Sequence, residues 1–74
     1  MSKTKDIRSS LTGTVWKIDA SVGDSVSEDD PVVTLESMKM EIPVGAPLDG
    51  VITEILVTEN DLVEEGQVIA RMSV

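Results

Sequence analysis

The chain nearly repeats itself. Displaced by 37 positions, Gly13 falls on Gly50, Val15 on Ile52 and Ile18 on Ile55. Further along, Asp24 falls on Asp61, Val26 on Val63, Glu28 on Glu65, Val32 on Ile69 and Leu35 on Met72. Apolar positions meet apolar positions, and the acidic turn residues recur. Two copies are too few for a solenoid, which needs about three or more repeats to bury its faces. At 74 residues the chain has room for one domain. The repeat therefore points to two halves folded about a shared core with quasi-two-fold symmetry, meeting near residue 39.

Each half reads as strands. Period-two alternation recurs, and no long window keeps a helical period. Thr14–Ile18, Val32–Leu35, Val51–Val57 and Gln67–Met72 are the clear strands, with weaker candidates at Ile7–Ser10 and Met40–Ile42. Turn signals separate them at Val22–Ser25, Asp29–Pro31, Pro43–Pro47, Asp49–Gly50, Glu59–Asp61 and Glu64–Gly66. Short strands broken by frequent turns predict an all-β sandwich or barrel. Residues 1–5 read as a flexible start and residues 6–74 as the domain.

Composition narrows what holds such a fold and what it meets. There are no cysteines and no histidines, so disulfides and Cys/His metal sites are excluded. The core has to be aliphatic, with Trp16, the sole aromatic, expected inside it. A net charge of -8 and the lack of stacking platforms argue against nucleic acid, and the same charge argues against anionic membranes. The apolar runs are too short to span a bilayer. Met1–Lys5 carries charge with no apolar stretch behind it, unlike a signal peptide. A cytoplasmic protein suited to basic partners is the expectation.

The segment where the repeats meet is Glu36-Ser37-Met38-Lys39-Met40-Glu41, bracketed by Leu35 and Ile42. Folded about Met38-Lys39 as a two-residue turn, it pairs Ser37 with Met40, Glu36 with Glu41, and Leu35 with Ile42. The apolar pair anchors the hairpin, while two glutamates directly opposite one another favour solvent. The turn breaks a local rule: tight hairpins take Asn-Gly or Asp-Gly because the central residues need positive φ. A local rule broken within a consistent sequence marks a functional place. The bland alternative is an ordinary turn lysine with methionines filling gaps.

Lys39 is not set up as a catalyst. A nucleophilic or Schiff-base lysine needs burial or a neighbouring cation to lose its proton. Its sequence neighbours Glu36 and Glu41 are carboxylates, which favour the ammonium. No nucleophile–base pair or phosphate loop appears elsewhere. The chain reads as the substrate of another enzyme, which would deprotonate Lys39 and supply an activated acyl group.

Here the sequence resembles the biotinyl/lipoyl attachment family. Glu36-Ser37-Met38-Lys39-Met40 is similar to the biotin-acceptor motif Glu-Ala-Met-Lys-Met. Ala46-Pro47-Leu48-Asp49-Gly50-Val51-Ile52 is similar to the family's Ala-Pro-x-x-Gly-x-Val, and Gly13-Thr14-Val15 with Val22–Val26 supplies a third segment in register. The resemblance runs from about residue 10 to residue 74. It implies a flattened barrel-sandwich hybrid of two four-stranded antiparallel sheets, with the acceptor lysine on an exposed hairpin. It implies covalent biotin on Lys39, flanked by Met38 and Met40, with Glu36, Ser37 and Glu41 read by the ligase. The implied partners are a biotin protein ligase, a biotin carboxylase and a carboxyltransferase.

Some residues depart from the biotin pattern. Ser37 stands where biotin acceptors usually carry alanine, and Glu36-Ser37 leans toward lipoyl domains. The segment 10–13 lacks the proline often found before that glycine. Between Gly23 and Leu35 there is no room for a protruding insertion, so the chain resembles the thumbless, free-standing carrier type. A lipoyl carrier served by a lipoyl ligase, or an acceptor of both cofactors, is the alternative. An unmodified interaction module is the second.

Overall fold

The computed structural model describes residues 3–74. Eight strands make up the domain: β1 (Thr4–Arg8), β2 (Gly13–Ile18), β3 (Ser25–Val26), β4 (Pro31–Ser37), β5 (Met40–Gly45), β6 (Gly50–Ile55), β7 (Leu62–Val63) and β8 (Val68–Ser73). They form two antiparallel four-stranded sheets, ordered β1-β8-β6-β3 and β5-β4-β2-β7. The domain is elongated, 40 × 17 × 16 Å. Among the described residues no helix is long and apolar enough to cross a membrane.

The 37-residue displacement maps one sheet onto the other strand for strand: β2 onto β6, β3 onto β7, β4 onto β8 and β5 onto β1. Irregularities follow it too. The β2–β4 ladder slips between Val15 and Lys17, and the β6–β8 ladder slips at the matching step between Ile52 and Glu54. Each such bulge sharpens the twist that wraps the sheets around the core. The loops obey the same relation. Val15 N donates to Asp61 O at 2.8 Å and Ile52 N donates to Asp24 O at 2.9 Å. The Asp24 carboxylate accepts from Ser21 N at 2.9 Å, as the Asp61 carboxylate accepts from Thr58 N at 2.9 Å. These side chains satisfy loop amides that no ladder reaches, which is why acidic residues recur at those turns.

The core sits between the sheets and is aliphatic. Its buried members match in pairs across the repeat: Val15 with Ile52, Val26 with Val63, Val32 with Ile69, Val33 with Ala70, Leu35 with Met72 and Val44 with Ile7. Each fully buried Val, Leu or Ile contributes roughly 1.5–3 kcal/mol, so this layer holds the domain without disulfides. Gly13 and Gly50 are symmetry mates where backbones nearly touch. A Cβ on Gly50 would overlap the Ser73 carbonyl oxygen, and one on Gly13 would press on the Glu36 carbonyl oxygen at 2.8 Å.

Three expectations shift. Strand β1 begins at Thr4, inside the segment read as a flexible start, and pairs Thr4 with Ser73 and Lys5 with Met72. Hydrogen bonding to β8 orders what composition alone leaves loose; Met1 and Ser2 lie outside the described residues. The stretches read as turns at Val22–Ser25 and Glu59–Asp61 each run into a two-residue strand, too short to show periodicity. Trp16 is not in the core: following the buried Val15 on β2 it falls on the outer face of its sheet, and is 47% exposed.

Candidate functional site

Hairpin β4–β5 carries the anticipated register. Ser37 pairs with Met40, Glu36 with Glu41 and Leu35 with Ile42. Leu35 is fully buried, Ile42 half-buried and Val33 and Val44 buried, so the base of the hairpin is fixed in the core. Alternation then sends Glu36 and Glu41 to the outer face, where both are exposed.

At the tip, Met38 has φ 51° and Lys39 has φ 65°. Positive φ at both central positions is the type I′ pattern that matches strand twist. Asp29 and Asn60 also have positive φ, but Asn and Asp tolerate that region because their short side chains bond locally. Met and Lys have no such relief. Both are held left-handed by the pairing on either side, and such residues gather where function constrains them. The two-fold has no counterpart to this turn: β1 and β8, the mates of β5 and β4, are joined by pairing alone.

The turn presents its side chains to water. Met38 is 92% exposed, Met40 is 62% exposed and Lys39 is exposed. Ser37 is half-buried opposite Met40. Among the described residues Lys39, Glu36 and Glu41 form no ion pair; the ion pairs lie on other residues, such as Arg71 with Asp6 at 3.1 Å. A groove of about 610 Å³ runs along β1 beside Gly45 and Pro47, and its lining does not include the hairpin tip. Chemically, the tip offers a primary amine on a short stalk, with no wall among the described residues to bind a small molecule around it.

Two residues of this neighbourhood escape sequence reading. Trp16 and Leu62, the latter 81% exposed, lie on the hairpin's own sheet. The available signal was in the repeat: at a displacement of 37 they align with Thr53 and Ser25, polar residues, where the core positions, Ala46 against Ser9 apart, align apolar with apolar.

Comparison with known proteins places this geometry. A family profile described as "Biotin-requiring enzyme" matches residues 5–72. The chain is 40% identical over 63 residues to a biotin/lipoyl attachment protein of Bacillus subtilis, covering 85% of this chain and 86% of that protein. It is 38% identical over 69 residues to the biotinylated protein TB7.3 homolog of Mycobacterium leprae, covering 93% and 97% of the two chains. Among solved structures it superposes on the Kluyveromyces lactis urea carboxylase with a TM-score of 0.90 at 38% identity, covering 95% of this chain and 6% of that one.

Proposed function

This chain belongs to the biotin/lipoyl attachment family, and on that premise we propose that it is biotinylated on Lys39 and shuttles carboxyl groups between carboxylase active sites. It is a carrier rather than a catalyst. The observation that carries the assignment of the lysine is the tip of β4–β5: Lys39 and Met38 are held left-handed and exposed at the one turn the two-fold does not repeat. The site fits a covalent acyl group, because the Lys39 side chain is exposed and no pocket wall or ion pair among the described residues competes for it.

The Lys39 ammonium loses one proton to the ligase and its Nζ attacks the acyl carbon of the biotinyl adenylate; the amide C–N bond forms as the acyl C–O bond to the phosphate breaks, AMP leaves and the nitrogen gives up a second proton. The product has no charge at residue 39. Met38 and Met40 flank the junction with flexible apolar surface, and Glu36, Ser37 and Glu41 are offered to the ligase. Bound biotin supplies a ring that accepts and releases a carboxyl group, at a biotin carboxylase and a carboxyltransferase respectively. Tethering then gives each active site an effective concentration in the millimolar range without new contacts. We place the protein in the cytoplasm with these partners.

Ser37 favours a second reading, in which lipoate is the group attached, alone or alongside biotin. It stands half-buried beneath the turn where biotin acceptors usually carry alanine. Intact-mass spectrometry after co-expression with a biotin protein ligase, and separately with a lipoyl ligase, tests both. One biotinyl increment, lost in Lys39→Arg, is the expected result. A lipoyl increment without a biotinyl one would overturn biotin as the cofactor, and no increment with either would overturn attachment.

A further inference from the structure

The repeat supplies an internal control on which surface residues the fold requires. Across the outer face of sheet β5-β4-β2-β7 runs the row Glu41–Glu36–Thr14–Leu62, each residue paired with the next. Its two-fold mate on the other sheet is Thr4–Ser73–Val51–Ser25. Beside each row sits the bulge residue, Trp16 in one sheet and Thr53 in the other. The same backbone thus accepts Ser25 and Thr53 where the hairpin sheet has Leu62 and Trp16. Packing does not account for Leu62, which is 81% exposed, and it leaves nearly half of Trp16 in solvent, 47% exposed.

Trp16 and Leu62 also form one patch. Leu62 pairs with Thr14, so Trp16, two residues further along β2, is its diagonal neighbour, within reach of an aromatic side chain. The rim is acidic. Glu36 and Glu41 lie on one side, and Glu59 and Asp61 lie on the other, in a loop held to β2 by Asn60 N donating to Val15 O at 2.8 Å. Those four carboxylates form no ion pair among the described residues, the cation beside Trp16, Lys17, being held by Asp19 at 3.9 Å; on the facing sheet Arg71 pairs with Asp6 and Glu54. Exposed tryptophan at the centre of a polar rim is the composition of a binding hot spot.

We propose that the outer face of sheet β5-β4-β2-β7, centred on Trp16 and Leu62, is the surface on which the acylating ligase docks, through an apolar socket flanked by lysine or arginine. This rests on the reading of Lys39 as the acceptor. The acidic rim excludes a second copy of this chain, which carries a net charge of -8 and would meet like with like. The ligase is singled out because it must reach the bare amine. A lysine stalk is short, so the enzyme has to close on the hairpin and overlap the adjoining sheet, whereas later partners work at the end of a longer acylated arm.

The test is the double substitution Trp16→Thr with Leu62→Ser, which installs the residues the two-fold already tolerates. Purified biotin protein ligase labels the full chain at varied concentration, with thermal unfolding followed in parallel. KM is expected to rise about tenfold or more with kcat little changed, while Thr53→Ala on the opposite sheet leaves both as they were. An unchanged KM in a folded double variant would overturn the docking face alone. Absence of labelling in the native chain overturns the acceptor reading and the docking face with it. A second measurement stands if the variant does not fold: the single indole N–H signal of Lys39→Arg protein shifts on titration with the ligase. A static indole alongside shifting hairpin amides would overturn the proposal.

Discussion

Replacing Met38 by glycine should stabilise the domain while damaging its use as an acceptor. Met38 and Lys39 sit at φ 51° and 65°. A side chain forced into that region costs roughly 1–2 kcal/mol, because its Cβ crowds the following carbonyl. Glycine removes this term at position 38. It adds freedom to the unfolded chain, which takes back roughly 0.4–1 kcal/mol. Met38 is 92% exposed, so almost no burial is lost. The net gain is about 0.5–1 kcal/mol, and a domain of this length gains about 4–8 °C in Tm per kcal/mol. Thermal and urea unfolding followed by circular dichroism, with Met38→Ala beside Met38→Gly, isolates the backbone effect, since alanine keeps the Cβ. Equal or lower stability for the glycine variant would refute the claim that the turn is strained. Ligase labelling of the glycine variant is expected to fall, the usual trade between stability and function.

Three further outcomes follow from the same geometry. Exchanging the turn residues, Met38→Lys with Lys39→Met, should abolish labelling in intact-mass spectra at unchanged Tm; labelling that follows the lysine would show that turn position is irrelevant. Gly50→Ala should cost roughly 1–3 kcal/mol in urea unfolding, because the new methyl meets the Ser73 carbonyl oxygen, and Gly13→Ala should cost less, its contact with Glu36 O being 2.8 Å. Asp24→Ala and Asp61→Ala should each cost about 1 kcal/mol by releasing the amides of Ser21 and Thr58, and the double variant should be additive to within about 0.5 kcal/mol, since the two loops share no partner.

Much of the candidate site was legible because it is local. The pairing of Leu35 with Ile42 and Glu36 with Glu41 follows from a two-residue turn and period-two alternation, both contained in eight consecutive residues. The positive φ at the tip was legible as a conflict: the register demands it, and Met-Lys does not favour it. Strands β3 and β7 were not legible, because two residues carry no period and their pairing partners, Val51 with Gly50 and Gly13 with Thr14, lie far away in the chain. Trp16 is a different case: alternation from the buried Val15 already sends it to the outer face, and only its hydrophobicity pointed inward.

The sequence by itself determined the repeat, the all-β class, the aliphatic core and the lysine hairpin, since all of these rest on spacing along the chain. Tertiary structure alone decided how the halves relate as sheets, with β5-β4-β2-β7 corresponding strand for strand to β1-β8-β6-β3. It decided that Thr4 and Lys5 are ordered by β8 rather than frayed. It also decided which apolar residues face out: hydrophobicity favours burial for every one of them, and only closure of the two sheets over a finite core leaves Trp16 and Leu62 on the surface beside the hairpin.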